Sequence, residues 1–201
     1  ALPIYALSAA QWADVADVVE ALPPGRPMLR LAALLRPIDP TAAAAVLLRL
    51  RLSNAHTDAV ARLAAAPEFP SADADEEARR RWLSQYGAEV MRGVARLDLA
   101  TARSGRGSRA GADVVASWRA IRTTLRSAPA LTVGELAADG RDLMRIGLKP
   151  GPVFGEVLEE LLDWVLEDPD RNEPDGLLVR AQAIARRLEG GASQDMKESG
   201  S

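Results

Sequence analysis

The chain has 201 residues, of which 48% are apolar, 26% charged and 4% aromatic, and its formal net charge is −3. This composition excludes a mostly disordered chain and a protein that is cationic over its whole surface. Because cysteine is absent and His56 is the only histidine, a disulfide framework, a thiolate zinc site and a His-pair metal centre are also excluded within one chain.

Apolar residues recur at helical spacing along nearly the whole chain, and proline and glycine separate the helices. In the first region, residues 1–68, this pattern predicts four short helices over residues 8–22, 27–35, 40–52 and 54–66. Ser8 and Asn54 are the expected N-caps of the first and fourth helices. The short turns between these helices indicate a helical array.

The second region, residues 69–129, is predicted to contain longer helices. An acidic connection over residues 67–77 leads into a helix with one apolar stripe, at spacings of 4, 4, 4 and 3 residues, formed by Trp82, Tyr86, Val90, Val94 and Leu97. Residues 104–108 form a Gly- and Ser-containing break. A second long helix is then predicted over residues 110–127.

The third region, residues 130–189, alternates short helices with glycine and proline. Thr132 and Glu135 fit a capping box, which predicts short helices over residues 134–138 and up to 146, with a stop at Gly147. Further helices are expected over residues 152–167 and 173–188. Residues 190–201 form a polar tail that we expect to be disordered. Since no stretch alternates like a strand, we predict an all-α protein of about nine to ten helices with no significant β-sheet.

Neither a membrane span nor a secretory leader is visible. Each Leu- and Ala-rich stretch is interrupted by Arg or Pro before it reaches the roughly 20 apolar residues that cross a bilayer. The first residues, Ala-Leu-Pro-Ile, show no basic region followed by an apolar stretch. We therefore expect a cytoplasmic protein with no membrane partner.

Charge is distributed unevenly along the chain. Residues 101–126 contain six Arg and a single acid, Asp113, whereas residues 156–175 contain nine acids and a single base, Arg171. A polyanion should therefore prefer one side of the protein.

No arrangement of residues indicates catalysis. The sequence contains no Gly-rich phosphate loop ending in Lys-Ser/Thr and no nucleophile elbow, and no residue near His56 could orient it as a base. The acids Glu156, Glu159, Glu160 and Asp163 lie opposite an apolar helix face, which is typical of a solvated surface. A magnesium-dependent hydrolase using these acids is the competing hypothesis, and we expect no such activity.

The segment Lys149-Pro150-Gly151-Pro152 places a helix N-terminus behind a rigid turn, and the free N–H groups of such an end attract anions. Arg141 and Arg145 lie within a few residues of it. Gly155, one turn into the helix, would allow a phosphate or another backbone to approach closely. The same glycines and prolines would equally suit a tight packing of two helices without any ligand.

Residues 131–178 contain an ordered series of Gly, Pro and Asn positions. The series consists of Asp139-Gly140-Arg141-Asp142-Leu143-Met144, Gly147, Pro150-Gly151-Pro152, Gly155, Leu158, Val165, Asn172 and Leu177-Leu178. It resembles the C-terminal signature of bacterial tRNA nucleotidyltransferases, the CCA-adding enzymes and their poly(A) polymerase relatives. Residues 30–35 and 50–54 are similar to the helical body of the same family.

The resemblance implies an elongated body-plus-tail arrangement that holds the elbow and acceptor stem of tRNA. A polymerase head, which would precede residue 1 and act in cis or in trans, would add nucleotides to the 3′ end with Mg²⁺ and CTP or ATP. This chain has none of the head's catalytic carboxylates and is expected to be inactive by itself, with no cofactor of its own. The candidate tRNA-binding residues are Arg103, Arg106, Arg109, Arg141, Arg145, Lys149, Gly151, Pro152 and Gly155.

One departure from the family pattern concerns the first region. Many relatives have His-Asp, a metal-dependent phosphohydrolase element, where this sequence has Arg36-Pro37. Because Arg cannot replace a metal-binding imidazole, we expect that activity to be absent. The alternative function, of a different class, is a helical protein-interaction module derived from the family, which has no RNA role and docks through its acidic helix.

Overall fold

A computed structural model of the chain describes residues 7–198, with the backbone alone for residues 189–198. In this part of the chain ten α-helices and two 3₁₀ turns, Val133–Glu135 and Pro169–Arg171, are present and no strand occurs, so the all-α prediction is confirmed. The helices are α1 (Ala9–Ala21), α2 (Pro27–Leu35), α3 (Pro40–Arg49), α4 (Asn54–Ala65), α5 (Glu76–Tyr86), α6 (Met91–Arg103), α7 (Gly111–Arg126), α8 (Gly140–Arg145), α9 (Pro152–Glu167) and α10 (Pro174–Glu198).

The chain divides into two compact units, residues 1–126 and residues 127–201. In the first unit α2 is central and packs against α1, α4 and α6, while α7 packs against α5 and α6. Leu35, Leu47 and Val60 are almost fully buried in one core cluster, and Leu22 and Leu97 are buried in another. Each such side chain contributes roughly 1.5–3 kcal/mol relative to leaving it exposed.

Local capping sets the helix starts in this unit. Ser8 is the N-cap of α1, as predicted, and it also forms a capping box, since its backbone N–H donates to Gln11 Oε1 at 2.8 Å and its Oγ accepts from the N–H of Gln11 at 3.3 Å. The cap of α4 lies one residue earlier than predicted. Ser53, and not Asn54, occupies the N-cap position, and its Oγ accepts from the N–H of His56.

The long helix predicted through Tyr86 and Val90 is interrupted, so that prediction is wrong. Helix α5 ends at Tyr86 because Gly87 adopts φ 83° and ψ 156°, a conformation that essentially only glycine tolerates. The apolar stripe nevertheless continues across the break, with Trp82 and Val90 buried on either side of it.

The second unit is built on α9 packed against α10, and its core includes Leu143, Val157, Leu161 and Leu177. The helix predicted over residues 134–138 is wrong, since the chain makes only the 3₁₀ turn Val133–Glu135 there. Helix α10 continues past the predicted end at residue 188. Disorder predicted from residue 190 remains a prediction, because side chains beyond 188 are not described and residues 199–201 lie outside the described part.

None of the helices within residues 7–198 combines the length and the apolar character that a membrane crossing requires.

Candidate nucleic-acid interface

Helix α8 is fixed at both ends by its own sequence. The Asp139 carboxylate accepts hydrogen bonds from the N–H groups of Asp142 at 3.1 Å and Arg141 at 2.7 Å, and these bonds lower the pKa of Asp139. At the other end Gly147 has φ 98°, and the N–H of Leu148 donates to the Leu143 carbonyl at 3.1 Å. This is the glycine-terminated C-cap expected from the sequence, and it turns the chain toward α9.

Helix α9 begins without a side-chain cap. Gly151 occupies the N-cap position and Pro152 the first helical position, so no side-chain oxygen lies over the N-terminus. Residues 149–152 are all exposed. Beside them lies a groove of about 300 Å³, whose walls include Gly147, Lys149 and Phe154. The positive end of the helix dipole is therefore accessible from solvent.

Three cationic residues precede this helix start within about ten positions of the chain, and Lys149 lines the groove beside it. Arg141, Arg145 and Lys149 are exposed. Arg145 forms an ion pair with Asp142 at 2.9 Å but remains 74% exposed. The charge of Arg141 helps to lower the pKa of Asp139, but neither Arg141 nor Lys149 forms an ion pair or a side-chain hydrogen bond among residues 7–188. We call the uncapped start of α9 together with these three residues and Gly155 the α9 mouth.

Glycines allow close approach at the α9 mouth. A Cβ on Gly140 would lie 3.3 Å from the Phe154 ring, which shows that the start of α8 packs directly against the first turn of α9. In contrast, a Cβ on Gly151 or Gly155 would meet open space. Gly140 therefore serves packing within the unit, whereas the surfaces over Gly151 and Gly155 are open to a ligand.

The three predicted arginines of the first unit have different roles. Arg103 is exposed, with no side-chain partner in the described part of the chain. Arg106 forms ion pairs with Asp14 at 2.7 Å and Asp17 at 2.6 Å on α1, and its pKa is raised, mainly by the hydrogen bond to Asp17. These pairs attach the loop between α6 and α7 to α1, so Arg106 is partly neutralised.

Arg109 is the least accessible of the predicted site residues. Its side chain is 20% exposed, and its guanidinium donates to the Phe69 carbonyl at 3.0 Å and to the hydroxyl of Ser117. The arrangement connects the start of α7 to the segment before α5. Arg109 thus stabilises the first unit and offers little surface to a ligand.

Asn172 has a structural role that the sequence alone did not indicate. Its Oδ1 accepts from the N–H of Ala137 at 2.7 Å, and its Nδ2 donates to the Glu135 carbonyl at 3.2 Å. One side chain therefore satisfies two peptide groups and ties the segment before α8 to the connection between α9 and α10. Glu135 itself accepts from the N–H groups of Leu131 and Thr132, which lower its pKa.

Part of the acidic charge of α9 is neutralised within its own unit. Glu160 forms an ion pair with Arg187. The guanidinium of Arg171 forms two more, from Nη1 to Glu167 Oε2 at 2.7 Å and from Nε to Asp168 Oδ2 at 3.5 Å. In the described part of the chain no three acids or histidines are grouped in a way that could hold a metal ion.

Comparison with known proteins relates the described helices to one family. Residues 29–181 match the family model for tRNA nucleotidyltransferase domain 2. The CCA-adding enzyme of Limosilactobacillus fermentum is 36% identical over 68 residues, which are 34% of this chain and 17% of that enzyme. This match therefore covers less than a fifth of the relative's length. No solved structure matches the chain.

Proposed function

Because this chain belongs to the tRNA nucleotidyltransferase family, we propose that it binds tRNA and that the α9 mouth contacts the tRNA backbone. In this proposal the chain holds the elbow and acceptor stem of tRNA while a nucleotidyltransferase head outside the chain extends the 3′ end. Mg²⁺ and the nucleotide would bind to that head. The observation that carries the proposal is the exposed, uncapped start of α9 with Lys149 beside it, together with the exposed Arg141 on the preceding helix α8.

The α9 mouth suits a nucleic-acid ligand that is bound without recognition of its base sequence. Phosphate groups are favoured at a helix N-terminus because of the dipole and the N–H groups directed outward. Arg and Lys contacts to phosphates position RNA and carry no sequence information. A tRNA-processing protein that accepts every tRNA needs contacts of this kind to the phosphate backbone, since A-form RNA is recognised mainly by its shape, phosphates and 2′-hydroxyls.

The candidate contacts differ in the exposure of their side chains and in the partners that these side chains already have. Arg141 and Lys149 form no ion pair or side-chain hydrogen bond in the described part of the chain, and Arg145 retains most of its exposure. Arg103 is a further candidate in the first unit. We leave Arg106 and Arg109 out of the proposed contacts, because acidic side chains and buried acceptors already occupy their guanidinium groups.

The test is the double variant Arg141→Gln/Lys149→Gln in the full chain, measured by filter binding to unfractionated tRNA over a range of salt concentrations. Losing two phosphate contacts should weaken binding and flatten the plot of log affinity against log salt by roughly 0.7–0.9 units per contact. The matched control is Arg26→Gln/Arg51→Gln, two exposed arginines of the first unit without described side-chain partners. Unchanged tRNA affinity in the first variant would contradict the role of the α9 mouth.

Light scattering after size exclusion, with and without tRNA, measures the mass of the eluting species and so distinguishes an RNA-binding protein from a protein-interaction module. A mass that rises by one tRNA supports the proposal. A mass that does not respond to tRNA supports the alternative function.

A further inference from the structure

Helix α7 carries three arginines on one face of the first unit. Arg119, Arg122 and Arg126 are spaced by three and four residues, which aligns them along the helix axis. All three are exposed, and the core-facing side of the same helix carries the buried residues Val114 and Ile121. In the described part of the chain none of the three forms an ion pair. We call them the α7 arginine column.

A groove runs beside this column between α6 and α7. It has a volume of about 500 Å³, and Met91, Arg92, Trp118 and Arg122 are among the residues that line it. The guanidinium carbon of Arg122 lies 5.5 Å from the centre of the Trp118 ring, close enough for a cation–π contact. Glu89, which also lines the groove, forms an ion pair with Arg62. The groove and its rim therefore present cations and an aromatic ring.

We propose that the α7 arginine column is a second RNA-contact surface, which binds the phosphate backbone of the same structured RNA. The inference rests on the proposed function, because it takes tRNA as the partner, but it concerns a separate unit and different residues. Seven residues of helix span about 10 Å, so the column can contact successive phosphates of one strand. Arg suits this task because its planar donors match phosphate oxygens in pairs.

The stacking of Arg122 on Trp118 strengthens this assignment. An exposed arginine normally loses rotamer freedom when it binds a ligand, and this loss opposes binding. Contact with the indole ring restricts the guanidinium before binding and leaves its outward donors available. Arg92 on the opposite side of the groove supplies a further cation that the same RNA strand could reach.

The test is the triple variant Arg119→Gln/Arg122→Gln/Arg126→Gln in the full chain. Filter binding to unfractionated tRNA should show at least a tenfold loss of affinity near 0.15 M salt and a salt slope flatter by roughly two to three units. Circular dichroism and thermal unfolding should be close to those of the native chain, because the three side chains are exposed. The matched control, Arg26→Gln/Arg49→Gln/Arg51→Gln, changes the net charge equally and should bind tRNA nearly as the native chain does.

Hydroxyl-radical footprinting of the bound tRNA separates this inference from the proposed function. Relative to the native complex, the α7 variant should lose protection from cleavage at one set of riboses, and the α9 mouth variant should lose it at a different set. Native affinity in the α7 variant, or an equal loss in its control, overturns the inference while leaving the α9 mouth intact. A loss confined to the α7 variant, with native binding by the Arg141→Gln/Lys149→Gln protein, would overturn the α9 mouth and keep the column. A native chain that binds an acidic protein but no tRNA would overturn both.

Discussion

Arg36 joins three helices of the first unit. From the end of α2 it donates to the Asp98 carboxylate of α6 at 3.0 Å and to the carbonyl of Ala66, at the end of α4, at 3.1 Å. Asp98 is only 2% exposed, and burial raises the pKa of Asp98 while the Arg36 guanidinium lowers it. Arg36 is therefore the cation of a largely buried ion pair.

Replacing Arg36 by Met should lower the free energy of unfolding by about 3 kcal/mol at pH 7, because it leaves a buried carboxylate without its cation. The folded-state pKa of Asp98 is already raised and would rise further, so the carboxyl becomes neutral as the pH falls through that value. The destabilisation should therefore shrink between pH 7 and pH 4.5. Urea unfolding at the two pH values measures both effects.

The double variant Arg36→Met/Asp98→Leu removes both charges and should recover most of the lost stability, since apolar replacements of buried ion pairs are often neutral. If Arg36→Met is equally unstable at both pH values, the loss does not come from the Asp98 charge.

Helices α9 and α10 each carry an early glycine, Gly155 and Gly176. Both are exposed, and a Cβ added at either position would meet open space. Glycine inside a helix costs roughly 0.5–1 kcal/mol relative to alanine. Packing gives no reason for Gly155, whereas the proposed approach of a phosphate to the α9 mouth would give one.

The variant Gly155→Ala should raise the free energy of unfolding by about 0.5–1 kcal/mol and at the same time weaken tRNA binding, because the added methyl group lies where the backbone of the RNA would approach. Gly176→Ala should give a similar gain in stability with unchanged binding. Thermal unfolding and filter binding on both proteins measure the two quantities. Native tRNA affinity in Gly155→Ala would show that no ligand approaches that surface.

A whole molecule with net charge −3 can bind a polyanion only if its cations are concentrated on surfaces and its acids are compensated elsewhere. Both features are present. The α9 mouth and the α7 arginine column collect exposed cations, while Arg171 and Arg187 neutralise acids of α9. Affinity for RNA should thus depend on local charge and respond strongly to ionic strength.

If both surfaces contact phosphates, about five or six contacts are made in total, and the native chain should show a salt slope of about −4 to −5. A protein that combines the Arg141→Gln/Lys149→Gln and α7 substitutions would keep the Arg145 contact and should have a slope of about −1. Filter binding between 0.05 and 0.3 M salt gives both values. A native slope shallower than about −2 would mean that one surface stays free of RNA.

Much of the fold could be predicted because short-range rules decide it. The Ser8 N-cap and the Gly147 stop depend on residues within one or two helical turns, and both formed as expected. The end of α5 at Gly87 could not be predicted from the sequence, because the apolar spacing continues across it. Hydrophobic spacing reports which side of a helix is buried and does not report where its axis changes.

The candidate site was predicted less completely, because side-chain partners are distant in sequence. The partners of Arg106 lie on α1 and one partner of Arg109 precedes α5, so local composition could not show that these guanidiniums are occupied. The three- and four-residue spacing of the α7 arginine column is enough to predict that its members share one helix face.

The double hydrogen bond of Asn172 limits how the second unit can be re-engineered. Aspartate would lose the donor to Glu135, leucine would lose both bonds, and glutamine would place its amide one methylene too far out. A redesign of the second unit that changes the cations of the α9 mouth should therefore retain this carboxamide, because it joins the segment before α8 to the connection between α9 and α10.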